Sequence, residues 1–214
     1  MEKKIGAIQQ GVPSAELEMA LAAWLDGDFT QSYCMEIASR LSTGLARQKK
    51  IATTINALML RNPIMAYLEN FKDEVRTILR EQRSRPLLFT AITCGAFCFA
   101  YDVTSIMGKY FHAEDTLAKG FIREKVSQIY GSNRTVDIAL KAVIPMFASF
   151  GMVEMKESGV YIIKRQEKYS EAALAVYKQS FLLNNPTYSD KDDIMSNPYF
   201  EFIDKNNNTH GYAL

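Results

Sequence analysis

Histidine, net charge and catalytic signatures are all scarce in this sequence, and each shortage excludes something. Its 214 residues hold two histidines, His112 and His210, and neither stands in a ligand or nucleophile pattern. No P-loop, dinucleotide glycine fingerprint, HExxH, nucleophile elbow or CxxC element occurs. The carboxylate groupings Asp73-Glu74 and Asp190 to Asp193 are bordered by lysines and read as helix-start or loop charges. The expectation is a protein that is not an enzyme and needs no cofactor; a metal nuclease built from distant carboxylates is the catalytic alternative left open.

Cysteine is limited to Cys34, Cys94 and Cys98, an odd number set in apolar helical patterns, which predicts free thiols in a reducing cytoplasm. Cys94 and Cys98 are spaced for one helix face without histidine or cysteine partners, so they are read as buried small hydrophobes and not as metal ligands. The polar amino terminus predicts no secretory signal. The longest uncharged run, Pro86 to Tyr101, has 16 residues between Arg85 and Asp102. A bilayer core needs about 20, so a buried central helix and no membrane insertion are expected.

A net charge of +1 gives no global nucleic-acid signal, but the charge is uneven. Arg40, Arg47, Lys49 and Lys50 fall in a window without an acid, and Arg76, Arg80, Arg83 and Arg85 accompany only Glu81. Residues 190–214 carry five acids against Lys191 and Lys205, so the remainder is more basic than the total suggests. The 48 % apolar content can bury one substantial core or two small ones.

Helical periodicity and punctuation predict helices from Pro13-Ser14 to about Leu25, Thr30 to Leu41, Leu45 to Leu60, 63–70, 71–82, 86–100 and 102–111, with 86–100 central. Residues 1–12 are expected to form a flexible or loosely docked arm. Ser170 can cap a helix through Phe181, and Tyr188, Tyr199, Phe200 and Phe202 are expected to anchor the tail on its own domain. An autoinhibitory role for this acidic, aromatic tail over a basic surface is a further expectation.

The most informative stretch is Glu114 to Arg165. Leu117, Phe121, Ile122, Val126 and Ile129 predict a helix opened by Glu114 and Asp115 and ended by Gly131. Ser132 can cap a second helix with apolar positions Val136, Ala139, Leu140, Val143, Ile144 and Phe147, stopped by Gly151. Pro145 should kink or break it, dividing 133–144 from 146–150. Residues 152–156 and 160–164 flank Glu157-Ser158-Gly159 as a β-hairpin. This order predicts a winged helix-turn-helix. The fold class expected is therefore mainly α: a helical bundle over 1–112, a winged helix-turn-helix carrying a short β-hairpin over 113–168, and a C-terminal helix and tail over 169–214.

In such motifs the front of the second helix reaches base edges. Here that front is Ser132, Asn133, Arg134 and Thr135, where Asn matches adenine and the Arg fork matches guanine. Ser132 and Thr135 suit phosphate contact or capping instead. Lys141, Lys156, Lys164 and Arg165, with Arg47, Lys49 and Lys50 on the basic third helix, are candidates for the salt-sensitive phosphate contacts.

Over roughly residues 20–165 the chain resembles the A component of BREX phage-exclusion systems. The resemblance is carried by the basic helix Leu45 to Leu60, the helix at 71–82 feeding Pro86-Leu87-Leu88, and Ser132-Asn133-Arg134-Thr135 followed by Phe147, Phe150, Gly151 and Val153-Glu154. Pro145 and the tail after Lys168 depart from the family's pattern. The resemblance implies a non-enzymatic, helical protein that binds double-stranded DNA beside methyltransferase and ATPase partners in a defence system. RNA binding stays open, because the family has been likened to helical antitermination factors. The alternatives are an assembly adaptor without nucleic-acid affinity and a winged-helix transcriptional regulator.

Overall fold

Capping side chains and left-handed glycines set the ends of four of the helices that build the core. The computed structural model describes residues 8–189 and 191–204. Helix α1 (Ser14–Asp26) follows Pro13 and stops at Gly27, whose φ of 82° suits a residue without a Cβ. Thr30 caps α2 (Gln31–Leu41) by accepting the Tyr33 amide. Helices α3 (Leu45–Met59), α4 (Ile64–Glu69) and α5 (Lys72–Arg80) lead to α6 (Arg85–Ala96). Nine of the twelve α6 residues, Pro86 through Cys94, are buried, and α6 packs against α3, α4, α5, α9 (Arg134–Phe150) and α10 (Glu171–Asn184). The uncharged run is thus the central rod of a helical protein. Among the described residues, no helix is long and apolar enough to cross a membrane.

The expected single helix over 86–100 divides at Phe97, which is extended (φ −134°, ψ 105°), and α7 runs Cys98–Phe111. The division places Cys94 and Cys98 on different helices: Cys94 is buried, whereas Cys98 is exposed and is not the buried thiol expected. Burial pushes the Cys94 thiol up to about 12, so it stays protonated and unreactive at neutral pH.

Residues 114–118 are not the start of a helix. Thr116–Ala118 forms β1, and α8 spans Lys119–Tyr130. Leu117 is buried by facing Tyr161 across the strand pair, a non-local contact that overrides its helical spacing. The hairpin of β2 (Val153–Glu157) and β3 (Val160–Ile163) therefore becomes a three-stranded antiparallel sheet of order β1-β3-β2, turned at Ser158-Gly159 with Gly159 at φ 76°.

Helix α9 is continuous through Pro145, against the expected division. Pro145 lies on the exposed face, so the Lys141 carbonyl that loses its intrahelical donor faces water, which can satisfy it. The predicted apolar positions Val136, Ala139, Leu140, Val143, Ile144 and Phe147 are all buried.

Of the expected loose arm, residues 1–7 lie outside the described set. The rest is docked: Ile8 and Val12 are buried, and the Ser14 amide donates to Ser149 Oγ (3.2 Å). Ser170 caps α10, which continues past Phe181 to Asn184. A 3₁₀ helix over Pro198–Phe202 packs on α7 so closely that a Cβ on Gly108 would stand 2.0 Å from the Pro198 carbonyl oxygen. Tyr199, Phe200 and Phe202 are buried anchors, as expected, while Tyr188 is 45 % exposed and sets its ring edge-on to Phe181 at 5.4 Å. Asp190, His210, Lys205 and the asparagines 206–208 lie outside the described residues. Buried side chains from Ile8 to Ile203 form one contiguous core shared by all three predicted segments.

Candidate nucleic-acid interface

The exposed face of α9 is set by the same periodicity that buries the other face. Arg134, Ile138, Lys141 and Pro145 recur at three- and four-residue steps and share one solvent-facing stripe, with Thr135 beside it. Ile138 is 38 % exposed, so an apolar side chain sits between two cations.

Asn133, not Ser132, caps α9. Its Oδ1 accepts from the amides of Thr135 (2.9 Å) and Val136 (3.2 Å), and its Nδ2 donates to the Tyr130 carbonyl (3.2 Å). Both ends of the amide are engaged, so the expected bidentate pairing with adenine would require the cap to break. Ser132 is left exposed in the turn after Gly131. Arg134 and Thr135 occupy the first helical turn with their side chains exposed.

The hairpin cations differ in availability. Lys156 is exposed on β2. Lys164 pairs with Glu154 at 3.0 Å across the strands. Arg165 donates through Nη2 to Glu201 of the 3₁₀ helix and toward the Phe111 carbonyl (3.4 Å). His112 Nδ1 lies 3.2 Å from the other Glu201 oxygen. Burial by itself would raise the Glu201 carboxyl, but Arg165 and His112 together hold it below the usual carboxylate range.

Arg47, Lys49 and Lys50 are exposed on the first turns of α3, where Lys49 and Lys50 line a cavity of about 150 Å³ with Gln9 and Thr53. The segment carrying Gln9 continues to Gly11, which lies against α9: a Cβ there would stand 2.8 Å from the Ala142 carbonyl oxygen. Lys49 and Lys50 thus line a cavity separate from the α9 stripe, with the segment 9–11 running from one to the other.

A larger cavity, about 270 Å³, which the sequence does not predict, lies between the start of α8 and the front half of α9. Lys119, Gly120, Arg123, Asp137, Leu140 and Lys141 line it. Arg123 donates through Nε and Nη2 to the two Asp137 oxygens, tying α8 to α9. The Arg123 contact lowers the Asp137 carboxyl, and Lys141 and Lys119 lower it further. Lys119 and Arg123 stand one turn apart on α8, but their spacing alone does not show that they meet Asp137 and Lys141 of α9.

Elsewhere the polar interior is structural. Tyr130 donates to Asp102 at 2.7 Å, and burial first, then this carboxylate, pushes its phenol up. Among the described residues no group of three His, Cys, Asp or Glu side chains could hold a metal ion. Set against known protein families, curated proteins and solved structures, the chain matches none.

Proposed function

We propose that the chain is a non-enzymatic cytoplasmic protein that binds double-stranded nucleic acid, DNA first, with β1, α8, α9, β2 and β3 acting as a winged helix-turn-helix. The observation that supports it is the outward stripe on α9, where Arg134 and Lys141 project beside a cationic cleft and a two-stranded wing. Arg134 on the first turn suits a guanine edge or a phosphate, Lys141 suits phosphate, and Lys156 extends the contact to the wing. Asn133 contributes by holding the front of α9 in place. With the resemblance to BREX A components, this reading gives a DNA-binding role in a phage-defence system with protein partners.

Salt-titrated mobility shifts on duplex DNA and RNA test it. Binding that weakens steeply with salt, and weakens further in Arg134→Ala and Lys141→Ala without loss of fold, supports it; no binding to either nucleic acid at low salt refutes it.

A protein-docking adaptor is the second reading. Ile138 on α9 and Met155 on β2, 38 % and 59 % exposed, are apolar side chains on the elements that carry the cations, and apolar surface favours a protein partner.

A further inference from the structure

The α8–α9 cleft combines concavity with unneutralised positive charge. Three cations, Lys119, Arg123 and Lys141, face one carboxylate, Asp137. Asp137 engages Arg123 through Nε and Nη2, and among the described residues Nη1 has no partner. Among the described residues, neither Lys119 nor Lys141 has an ion-pair partner. Most of the lining is apolar, with buried Leu140 among its contributors. At Gly120, also on the wall, a Cβ would meet no atom within 4 Å apart from its chain neighbours and its own helix backbone, so the space stays open. Such a concave site with two surplus positive charges suits a compact, multiply charged oxyanion better than a flat base edge.

We infer that this cleft seats one phosphate of the nucleic-acid backbone, gripped by Lys119, Arg123 and Lys141, with Asp137 as their internal counter-ion. The inference rests on the nucleic-acid reading and adds a fixed anchoring point beside the α9 stripe. The anchor would set the register of the helix on the duplex, since phosphate contacts position a protein while base contacts specify sequence.

The test uses Gly120→Asp, which puts a carboxylate on the wall without a steric clash and at a helix start, where negative charge is tolerated. Gln128→Glu, on the exposed far end of α8, is the charge-matched control. Inorganic pyrophosphate is titrated into each protein at constant ionic strength while amide resonances are followed. Pyrophosphate is expected to move the signals of residues 119–123 and 140–141 in the wild type and in Gln128→Glu, but not in Gly120→Asp. With duplex DNA, the salt slope of Gly120→Asp is expected to fall by about 0.9, the share of a single phosphate. Unmoved wild-type signals, or an equal response in Gly120→Asp, overturn the inference. Pyrophosphate binding without duplex binding would sink the nucleic-acid reading and leave the anion seat standing; duplex binding that Gly120→Asp leaves unchanged does the reverse.

Discussion

Arg165, just beyond strand β3, is held by Glu201 of the C-terminal 3₁₀ helix, whose second carboxylate oxygen meets His112 at the end of α7. One of the hairpin's cations is therefore neutralised within the chain, and the contact gives the acidic tail a defined electrostatic partner. Replacing Glu201 by Gln frees the guanidinium. Duplex affinity is expected to rise, with the salt slope steeper by about 0.9 if Arg165 then takes a phosphate. Unchanged slope and affinity would mean that Arg165 lies off the nucleic-acid path. Deleting the whole tail is the poorer test, because it also removes the buried Tyr199, Phe200 and Phe202.

The same carboxylate gives a pH dependence with a definite sign. Glu201 is held below its ordinary value of 4.5, so the folded state favours its ionised form. Its contribution to stability is present above that value and is lost as pH falls through the lowered one. Urea midpoints measured from pH 6 down to pH 3 should fall for the wild type. They should fall less steeply for Glu201→Gln, and parallel curves for the two proteins would contradict this account.

The docking of the 3₁₀ helix on α7 depends on the absence of a side chain at Gly108. Gly108→Ala would force a Cβ to within 2.0 Å of a backbone oxygen, which a rotamer change cannot relieve. A loss of about 1–3 kcal/mol in urea denaturation is expected, as for other overpacked interiors. Full stability in the variant would show that the segment can lift away at little expense.

Asn133 separates capping from base reading. Asn133→Ala should lower stability by about 1 kcal/mol, and Asn133→Ser should restore most of it, because a hydroxyl can also cap. Duplex affinity should follow the cap, with Ser close to wild type. If Ser instead restores stability but leaves affinity as low as Ala, the amide itself contacts the ligand.

These positions also show what was readable in the chain before its structure. Helix starts at Ser14, Gln31, Ile64 and Glu171 were legible because Pro13, Thr30, Asn62-Pro63 and Ser170 act locally. The buried face of α9 was legible because its apolar spacing is strong. Strand β1 was not, since three residues carry little periodicity and their conformation comes from pairing with β3 far along the chain. The break at Phe97 was hidden inside a uniformly apolar run with no polar punctuation. Arg134 and Thr135 are exposed as the motif predicts, but the cleft is not legible in the sequence, because Lys119 and Arg123 meet Asp137 and Lys141 only when two helices pack. Asn133 falls at the right point of the turn, but the sequence does not separate capping from base reading, because both use the same amide.

In the proposed function, the front of α9 grips a polyanion. Equilibrium binding of a fluorescent DNA duplex across a salt series, for the wild type and for the Arg134→Ala/Lys141→Ala double variant, tests it most directly. Weaker duplex binding is expected in the double variant, with a log–log slope shallower by at most about 1.8, the value for two phosphates each neutralised by one of these side chains alone, and with the thermal midpoint unchanged. Superimposable salt curves for the two proteins would contradict it.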